Sequence, residues 1–205
     1  MNNIPSKRLI ILQTFLIFVL PVALLYFKIV PSSLRMLLLL IDSLIIYGII
    51  RHENWTHEDM GLEHHNFKQA LPAYAFFTFL GVIFLFIIEH NVNLPDIDTR
   101  AFYIKTFAFF IPISFFQEFA FRSFLVPRLK EIFSNDYTVI IVNALLFTLI
   151  HIIYPNIGIG LPIAFVSGIF FTWLYIKYPN LLLVSLSHIV LNITAVLLGF
   201  FYIAK

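Results

Sequence analysis

The sequence predicts an all-α membrane protein: a polytopic helical bundle with about seven transmembrane helices, forming a single transmembrane domain over residues 1–205. Two observations predict this class. The chain is 60% hydrophobic and 12% charged, with a mean hydropathy of +0.94, whereas about a quarter of a soluble domain is charged. Apolar runs near the ~20 residues that a helix needs to cross a bilayer recur along the chain and leave no room for a second soluble domain. Helices are expected because they satisfy their own backbone polar groups in lipid.

The apolar runs define the individual spans. Lys7 and Arg8 precede the first run, but no small-residue cleavage site follows it, so we interpret it as a span rather than a cleavable signal. Pro31 separates this run from the next. We predict spans at about residues 9–27, 34–50, 69–88, 101–126, 137–153, 157–176 and 181–202.

The longest polar stretch, RHENWTHEDMGLEHHNFK at residues 51–68, contains four histidines and four acidic residues. We expect a solvated loop there, between the second and third spans, with a short interfacial helix around Trp55. A metal site near Glu63, His64 and His65 is an alternative, although their spacing matches no particular set of ligands.

The short loops predict the orientation, because lysine and arginine are enriched on the cytoplasmic side. With the N-terminus inside, seven of these residues fall on the inner side and five on the outer side. We therefore expect a multi-pass integral protein of a bacterial cytoplasmic membrane, with its N-terminus inside.

The composition also excludes several function classes. The sequence has no cysteine, which excludes disulfides, thiolate zinc sites and a thiol nucleophile. Its net charge of +2 is small and scattered, so nucleic acid is not an expected partner. The expected surroundings are the lipid bilayer.

Charged residues interrupt the fourth span, which contains FFQEFAFRSFL from Phe115 onward. A charged side chain at the centre of a membrane helix costs about 2.5–3.5 kcal/mol and marks a candidate functional site. Glu118 and Arg122 are four residues apart, so they share one helix face and are in the favourable order for an ion pair. Ser114 lies on the same face, whereas Gln117 points about 100° away around the helix.

Two later spans also carry polar residues at helical spacing. In the fifth span, Asn143, Phe147 and His151 form one stripe, and in the seventh, His188 and Asn192 share a face with Ser185. With a rise of about 1.5 Å per residue, the four groups of chemical interest lie within one layer, roughly 10–21 Å from the inner membrane surface. They are Glu118, His151, His188 and Asn192.

Each of these polar residues taken alone is more often a structural contact between helices than part of an active site. Together they comprise a carboxylate, two imidazoles and a carboxamide. This set supplies a base, a proton carrier and donors to an oxyanion, which is the inventory of a hydrolase.

Three short motifs resemble those of one protein family. Gln117-Glu118 with Arg122, Phe147 with His151, and His188 with Asn192 match EExxxR, FxxxH and HxxxN in order. These are motifs of the CAAX protease and bacteriocin-processing family, also called the Abi family, which includes the type II CAAX prenyl endopeptidases. The resemblance covers about residues 101–200 as a protease-like core.

The resemblance implies a glutamate protease that acts within the membrane and needs no cofactor. In the family, the first glutamate and the second-motif histidine activate a water, and the third motif stabilises the oxyanion. Carried over by position, His151 orients or deprotonates water, and His188 and Asn192 form the oxyanion site. Arg122 then holds Glu118, and Phe147 is a supporting residue.

This chain departs from the family pattern at Gln117, because a carboxamide cannot take a proton from water. Three accounts stay open. Glu118 is the working base, Gln117 has inactivated an ordinary protease, or the protein is a non-catalytic member that binds or confers immunity. A smaller departure is Ser123, where many relatives have glycine.

Two other classes compete with this reading. A zinc-dependent membrane protease is the first, because Glu118, His151 and His188 offer two imidazoles and a carboxylate. A proton-coupled transporter that uses Asp42 in the second span is the other, although paired broken helices are not evident.

The expected partner is a peptide or protein substrate with a membrane-associated segment. Prenylated tails, bacteriocin leaders and sorting-signal peptides all stay open as substrates.

Overall fold

The computed structural model describes residues 5–62, 65–92, 100–154 and 157–200, with the backbone alone described for residues 100–108. Its helices are α1 (Lys7–Tyr26), α2 (Arg35–His52), α3 (Phe67–Asn91), α4, α5 (Asp136–Leu149), α6 (Ile157–Lys177) and α7 (Leu181–Leu197). Helix α4 runs through three consecutive segments, Arg100–Glu118, Phe119–Leu125 and Val126–Ile132. One 3₁₀ turn, Ser32–Leu34, precedes α2, and another, Ile150–Ile153, extends α5.

The predicted fold class is confirmed. Six helical stretches are long and apolar enough to cross a membrane, and α7 is a shorter apolar helix of 17 residues. The protein is therefore a multi-pass membrane protein. Most predicted span limits agree with the helices to within a few residues, but α4 continues six residues beyond the predicted end at 126, because Pro127 occupies the first turn of its last segment, where no backbone donor is needed.

Helix α4 is the centre of the bundle. In its membrane-crossing window 67% of the residues are buried, against 11–33% in the other five windows. One hydrophobic core cluster takes residues from all seven helices, including Phe18 from α1, Ile46 from α2, Tyr74 from α3 and Phe124 from α4. The helices of these five windows therefore leave most of their residues at the lipid-facing surface, whereas α4 leaves few.

Two π-helical segments interrupt otherwise α-helical spans, and both lie just before a proline. Phe15–Val19 in α1 precedes Pro21, and Phe119–Leu125 in α4 precedes Pro127. Proline has no backbone N–H, so an α-helical bond to the preceding turn is lost and the local pattern shifts. In α4 this shift lies directly after Glu118 and contains Arg122.

The polar loop after α2 folds back against the end of α4. Trp55 stacks on Phe124 with ring centroids 5.9 Å apart, and Arg128 forms an ion pair with Glu53. The Ser123 hydroxyl donates to the Met60 carbonyl at 2.6 Å. The segment therefore consists of turns docked on the bundle rather than the short helix predicted around Trp55, because its side chains bind α4.

Gly61 closes this loop in a conformation that favours glycine. Its φ is +64°, and a Cβ there would lie 2.3 Å from the Tyr175 hydroxyl. Its carbonyl accepts from the Leu181 N–H at 2.7 Å and so fixes the start of α7. The proposed metal site near Glu63 and His64 lies outside the described residues.

Candidate active site

Glu118 lies at the centre of a buried charged cluster. Its Oε1 atom is 2.6 Å from His188 Nδ1, and its Oε2 atom is 3.1 Å from Arg122 Nε. Glu118 and Arg122 are both fully buried. The predicted pairing of Glu118 with Arg122 is present, and both carboxylate oxygens are engaged by neighbouring side chains.

The guanidinium of Arg122 is enclosed by aromatic rings. Its Cζ atom lies 4.5 Å from the Phe147 ring centroid and 5.4 Å from that of Phe171. Nη2 donates to the Gly168 carbonyl at 3.4 Å. A desolvated cation gains from such aromatic contacts, so Arg122 has partners that compensate for its removal from water in addition to Glu118.

His188 extends the cluster from α4 to α7. Because a carboxylate oxygen accepts, the bond to Glu118 places a hydrogen on Nδ1 of His188. The ring packs between Phe147 and Phe171, with centroids 5.6 and 5.3 Å away. The carboxylate therefore fixes the orientation and the tautomer of this imidazole.

His151 also contacts Phe147, with ring centroids 5.0 Å apart. Its Nδ1 atom is 2.8 Å from the Phe147 carbonyl oxygen. A carbonyl can only accept, so Nδ1 carries the hydrogen and Nε2 is the basic nitrogen. Phe147 thus contacts both imidazoles, which explains a supporting role for this residue in the second motif.

Asn192 lies one turn beyond His188 on α7. Its Nδ2 atom donates to the Ser114 hydroxyl at 3.0 Å, and Ser114 in turn donates to the Phe110 carbonyl at 2.8 Å. The sequence predicts that Ser114 and Glu118 share one face of α4. Each of them is bonded to a residue of α7, Ser114 to Asn192 and Glu118 to His188.

A cavity of about 330 Å³ brings the second and third motifs together. It lies between α3, α5, α6 and α7, and its wall is mainly apolar, with residues such as Phe77, Phe84 and Leu191. His151, His188 and Asn192 are among the lining residues. Glu118 is not among the described lining residues, so it reaches the cavity through His188.

Gln117 faces away from the charged cluster. It is 7% exposed and lines a narrow gap of about 10 Å³ together with His151, Asn192 and Tyr154. The residues that the structure describes offer its carboxamide no hydrogen-bond partner. The neighbouring positions 117 and 118 therefore differ: the Gln117 side chain has no polar partner among the described residues, whereas the Glu118 carboxylate contacts Arg122 and His188.

Asn143, on the same predicted stripe as His151, connects α5 to α4 and α6 by hydrogen bonds. Its Nδ2 atom donates to the Phe121 carbonyl in the π-helical segment at 2.8 Å, and its Oδ1 atom accepts from Thr172 at 2.9 Å. Ser185, predicted on the face of His188, is buried but is not among the lining residues of the large cavity. These two residues lie outside the wall of that cavity.

Gly168 on α6 is a site residue that the motifs do not reveal. Its carbonyl accepts from Arg122 and also from the Thr172 hydroxyl at 2.6 Å. A Cβ at this position would lie 3.0 Å from Cα of Ala144. The signal in the sequence is a pair of small residues facing each other on α5 and α6, which allows close helix approach.

The described residues contain no group of three or more His, Cys, Asp or Glu side chains placed to hold a metal ion. Glu118, His151 and His188 are thus not gathered as one ligand set. Two of them, Glu118 and His188, bond directly to each other.

Comparison with known proteins supports the motif assignment. No match was found to a curated protein or to a solved structure. A family model described as type II CAAX prenyl endopeptidase Rce1-like matches residues 99–194. The matched region contains all three motifs, from Gln117 to Asn192. The predicted resemblance is confirmed: residues 99–194 of this chain match the model of the Rce1-like type II CAAX prenyl endopeptidases.

Proposed function

We propose that this protein is an intramembrane endopeptidase that hydrolyses a peptide bond of a membrane-associated peptide or protein. The family is one of proteases, which supports a peptidase role. The observation that carries the proposal is the buried pair of Glu118 and His188, 2.6 Å apart, with His188 on the wall of a large apolar cavity.

In this proposal, His151 is the group that receives the proton of the attacking water. Its Nδ1–H is held by the Phe147 carbonyl, so its basic Nε2 nitrogen is the acceptor. The nucleophilic water would lie in the cavity that both histidines line. General bases of this kind contribute about 10²–10⁴-fold to rate.

His188 and Asn192 would stabilise the negative oxygen of the tetrahedral intermediate. A protonated His188 donates through Nδ1 to Glu118 and through Nε2 to the oxyanion. Asn192 uses one amide hydrogen for Ser114, and its second hydrogen is the donor to the oxyanion. Such donors are most effective in a dry site, because they are fixed before charge develops.

Glu118 has a specific place in this arrangement. As the base predicted from the sequence, it would have to turn its carboxylate away from two partners, Arg122 and His188. We therefore propose that Glu118 acts through His188, stabilising the imidazolium and fixing its orientation, while Arg122 pairs with the carboxylate. Its direct contact with water is the competing form of the same proposal.

The cavity indicates the kind of substrate. Its wall is apolar, and its polar residues gather where His151, His188 and Asn192 meet. An apolar segment or lipid-modified residue beside the scissile bond suits such a wall, and the matching family is described as a CAAX prenyl endopeptidase. We propose a substrate anchored in the membrane close to the bond that is cut.

A second candidate function is favoured by Gln117. The carboxamide lies beside His151 and Asn192, where the family motif has a glutamate, and no described residue around this gap is acidic. A chain with this arrangement could bind the peptide without cutting it, as an immunity or binding protein.

One experiment separates the two functions. The purified protein is placed in lipid vesicles with a library of peptides that carry either an apolar N-terminal segment or a prenylated cysteine near the C-terminus. Cleavage by the natural sequence, detected by mass spectrometry, supports the protease. Binding without cleavage, by both the natural sequence and Gln117→Glu, supports the non-catalytic function.

A further inference from the structure

A second cavity lies on the other side of Gln117 from the large one. It has a volume of about 90 Å³ and is enclosed by α1, α2, α4 and the turn that follows α5. Among its described lining residues, Asp42 is the sole acid and Arg35 is the sole base. Gln117 and Tyr154 also line it.

No structural contact among the described residues explains the presence of an acidic side chain at position 42. It lies near the middle of α2, where a carboxylate in lipid is unfavourable and marks a functional candidate. The described residues provide no ion pair or hydrogen bond for its side chain. Glu118, an acid near the middle of α4, differs in having Arg122 and His188 as partners.

Asp42 and Gln117 lie at the same depth. Helices α2 and α4 run side by side in one direction, because Arg35 contacts Phe109 near their beginnings and Glu53 pairs with Arg128 near their ends. From Arg35 to Asp42 is about 10.5 Å of helix rise, and from Phe109 to Gln117 is about 12 Å.

The lining residues connect the second cavity to the large one. Gln117 and Tyr154 line both the 90 Å³ cavity and the narrow gap of about 10 Å³. His151 and Asn192 line both that gap and the 330 Å³ cavity. A volume of about 10–15 Å³ is enough for one water, so a water in the gap would join the two larger spaces.

We infer that Asp42 supplies the carboxylate that the family motif places at position 117. This inference rests on the proposed function. Gln117, a buried carboxamide without a partner among the described residues, would hold a water chain between His151 and Asp42. In this scheme the carboxylate is on α2 instead of α4, and Gln117 and bound water connect it to the reacting water.

The proton balance of this scheme is complete. The water oxygen bonds to the carbonyl carbon, and one of its protons goes to Nε2 of His151, which then releases it through bound water to Asp42. The C–N bond then breaks as the leaving amine takes a proton back by the same path. Asp42 returns to its ionised form, and no other reactant is needed.

Four forms of the protein test this inference in lipid vesicles: the natural sequence, Asp42→Asn, Gln117→Glu and the double variant. With the peptide that the natural sequence cuts as the probe, Asp42→Asn should lower kcat by about 10²-fold or more, the range of a lost proton acceptor. Adding Gln117→Glu to Asp42→Asn should restore kcat to within about tenfold of the natural sequence, because a carboxylate returns to the path.

The control is Asp136→Asn, which removes an exposed acid at the start of α5 and should leave kcat unchanged. Thermal unfolding of every variant checks the fold. Rescue by Gln117→Glu is the decisive readout, because a merely structural loss at Asp42 would not be repaired at position 117.

Several results overturn the inference. Unchanged cleavage by Asp42→Asn does so while the protease function stands, and so does a loss that Gln117→Glu fails to repair. An inert natural sequence that gains activity with Gln117→Glu shows that Asp42 does not replace the missing acid. Absence of cleavage in both the natural sequence and Gln117→Glu removes the proposed function together with this inference.

Discussion

The charged cluster around Glu118 and the cavity wall around Gln117 occupy adjacent positions on α4 but differ in their polar contacts. Both oxygens of Glu118 have charged or imidazole partners within 3.1 Å. Gln117 has no such partner among the described residues and faces space on two sides. A buried group that contacts two partner side chains holds neighbouring helices together, whereas a carboxamide without a described partner beside a cavity is available to water or substrate.

We expect the largest loss of cleavage from a change at Glu118. Glu118→Gln should lower cleavage by about 10³-fold or more, because an amide in place of a carboxylate beside a working histidine costs about 10⁴-fold in a known case. Steady-state cleavage in vesicles measures this. Glu131→Gln is a matched control, since that acid also pairs with an arginine on α4, Arg128 at 3.0 Å, but far from the cavity. Near-normal cleavage by Glu118→Gln would contradict the proposed role.

Removal of Arg122 should have the largest effect on stability. Arg122→Leu leaves the buried carboxylate of Glu118 without its cation, and breaking a buried pair in this way costs about 3–5 kcal/mol. Thermal unfolding in detergent compares it with the double variant Glu118→Gln/Arg122→Leu, which should be more stable than the single one. Equal losses in the two variants would show that the charges are not coupled.

The variant Asn192→Ala tests the proposed role of Asn192 as a donor to the oxyanion. Loss of one preorganised donor lowers kcat by about 10²–10³-fold, so we expect a decrease in that range with KM little changed. The lost bond to Ser114 should cost stability only about 1 kcal/mol. A normal kcat in this variant would remove Asn192 from the reaction.

Asn143→Ala provides the matched structural case, because it removes the same side chain from a saturated position. The buried Phe121 carbonyl loses its partner, whereas the Thr172 hydroxyl keeps the Gly168 carbonyl as an acceptor, and the change should cost about 1–3 kcal/mol. Thermal unfolding and cleavage per folded molecule are the two measurements. A loss of activity without a loss of stability would place Asn143 in the site instead.

The smallest expected effect is that of a zinc chelator. The proposed reaction uses only side chains and water, so EDTA or phenanthroline should leave cleavage unchanged within error. Loss of cleavage that zinc restores would favour the alternative in which Glu118, His151 and His188 hold a metal.

Much of this architecture follows from the sequence because helical spacing is a local property. The spans, the pairing of Glu118 with Arg122 and the common face of Ser114 and Glu118 are all set within one helix. The contacts between helices cannot be predicted from spacing within one helix. The bond from Glu118 to His188 depends on how α7 packs against α4.

The role of each polar residue, in helix packing or in the cavity wall, could not be predicted from the sequence either. Asn143 and His151 share a stripe, yet Asn143 binds α4 and α6 whereas His151 lines the cavity. The difference arises because the π-helical segment offers the Phe121 carbonyl to Asn143. A short-range pattern cannot show which backbone carbonyl such a segment releases.

The most direct test of the central claim is to follow the oxygen of the attacking water. The natural protein in vesicles is incubated with the membrane-anchored peptide library in ¹⁸O-labelled water, and the new C-terminal fragments are weighed by mass spectrometry. The account predicts fragments cut at one site that carry a single ¹⁸O atom, and their disappearance in Glu118→Gln. Peptides left intact by both the natural sequence and Gln117→Glu, with the fold preserved, would contradict it.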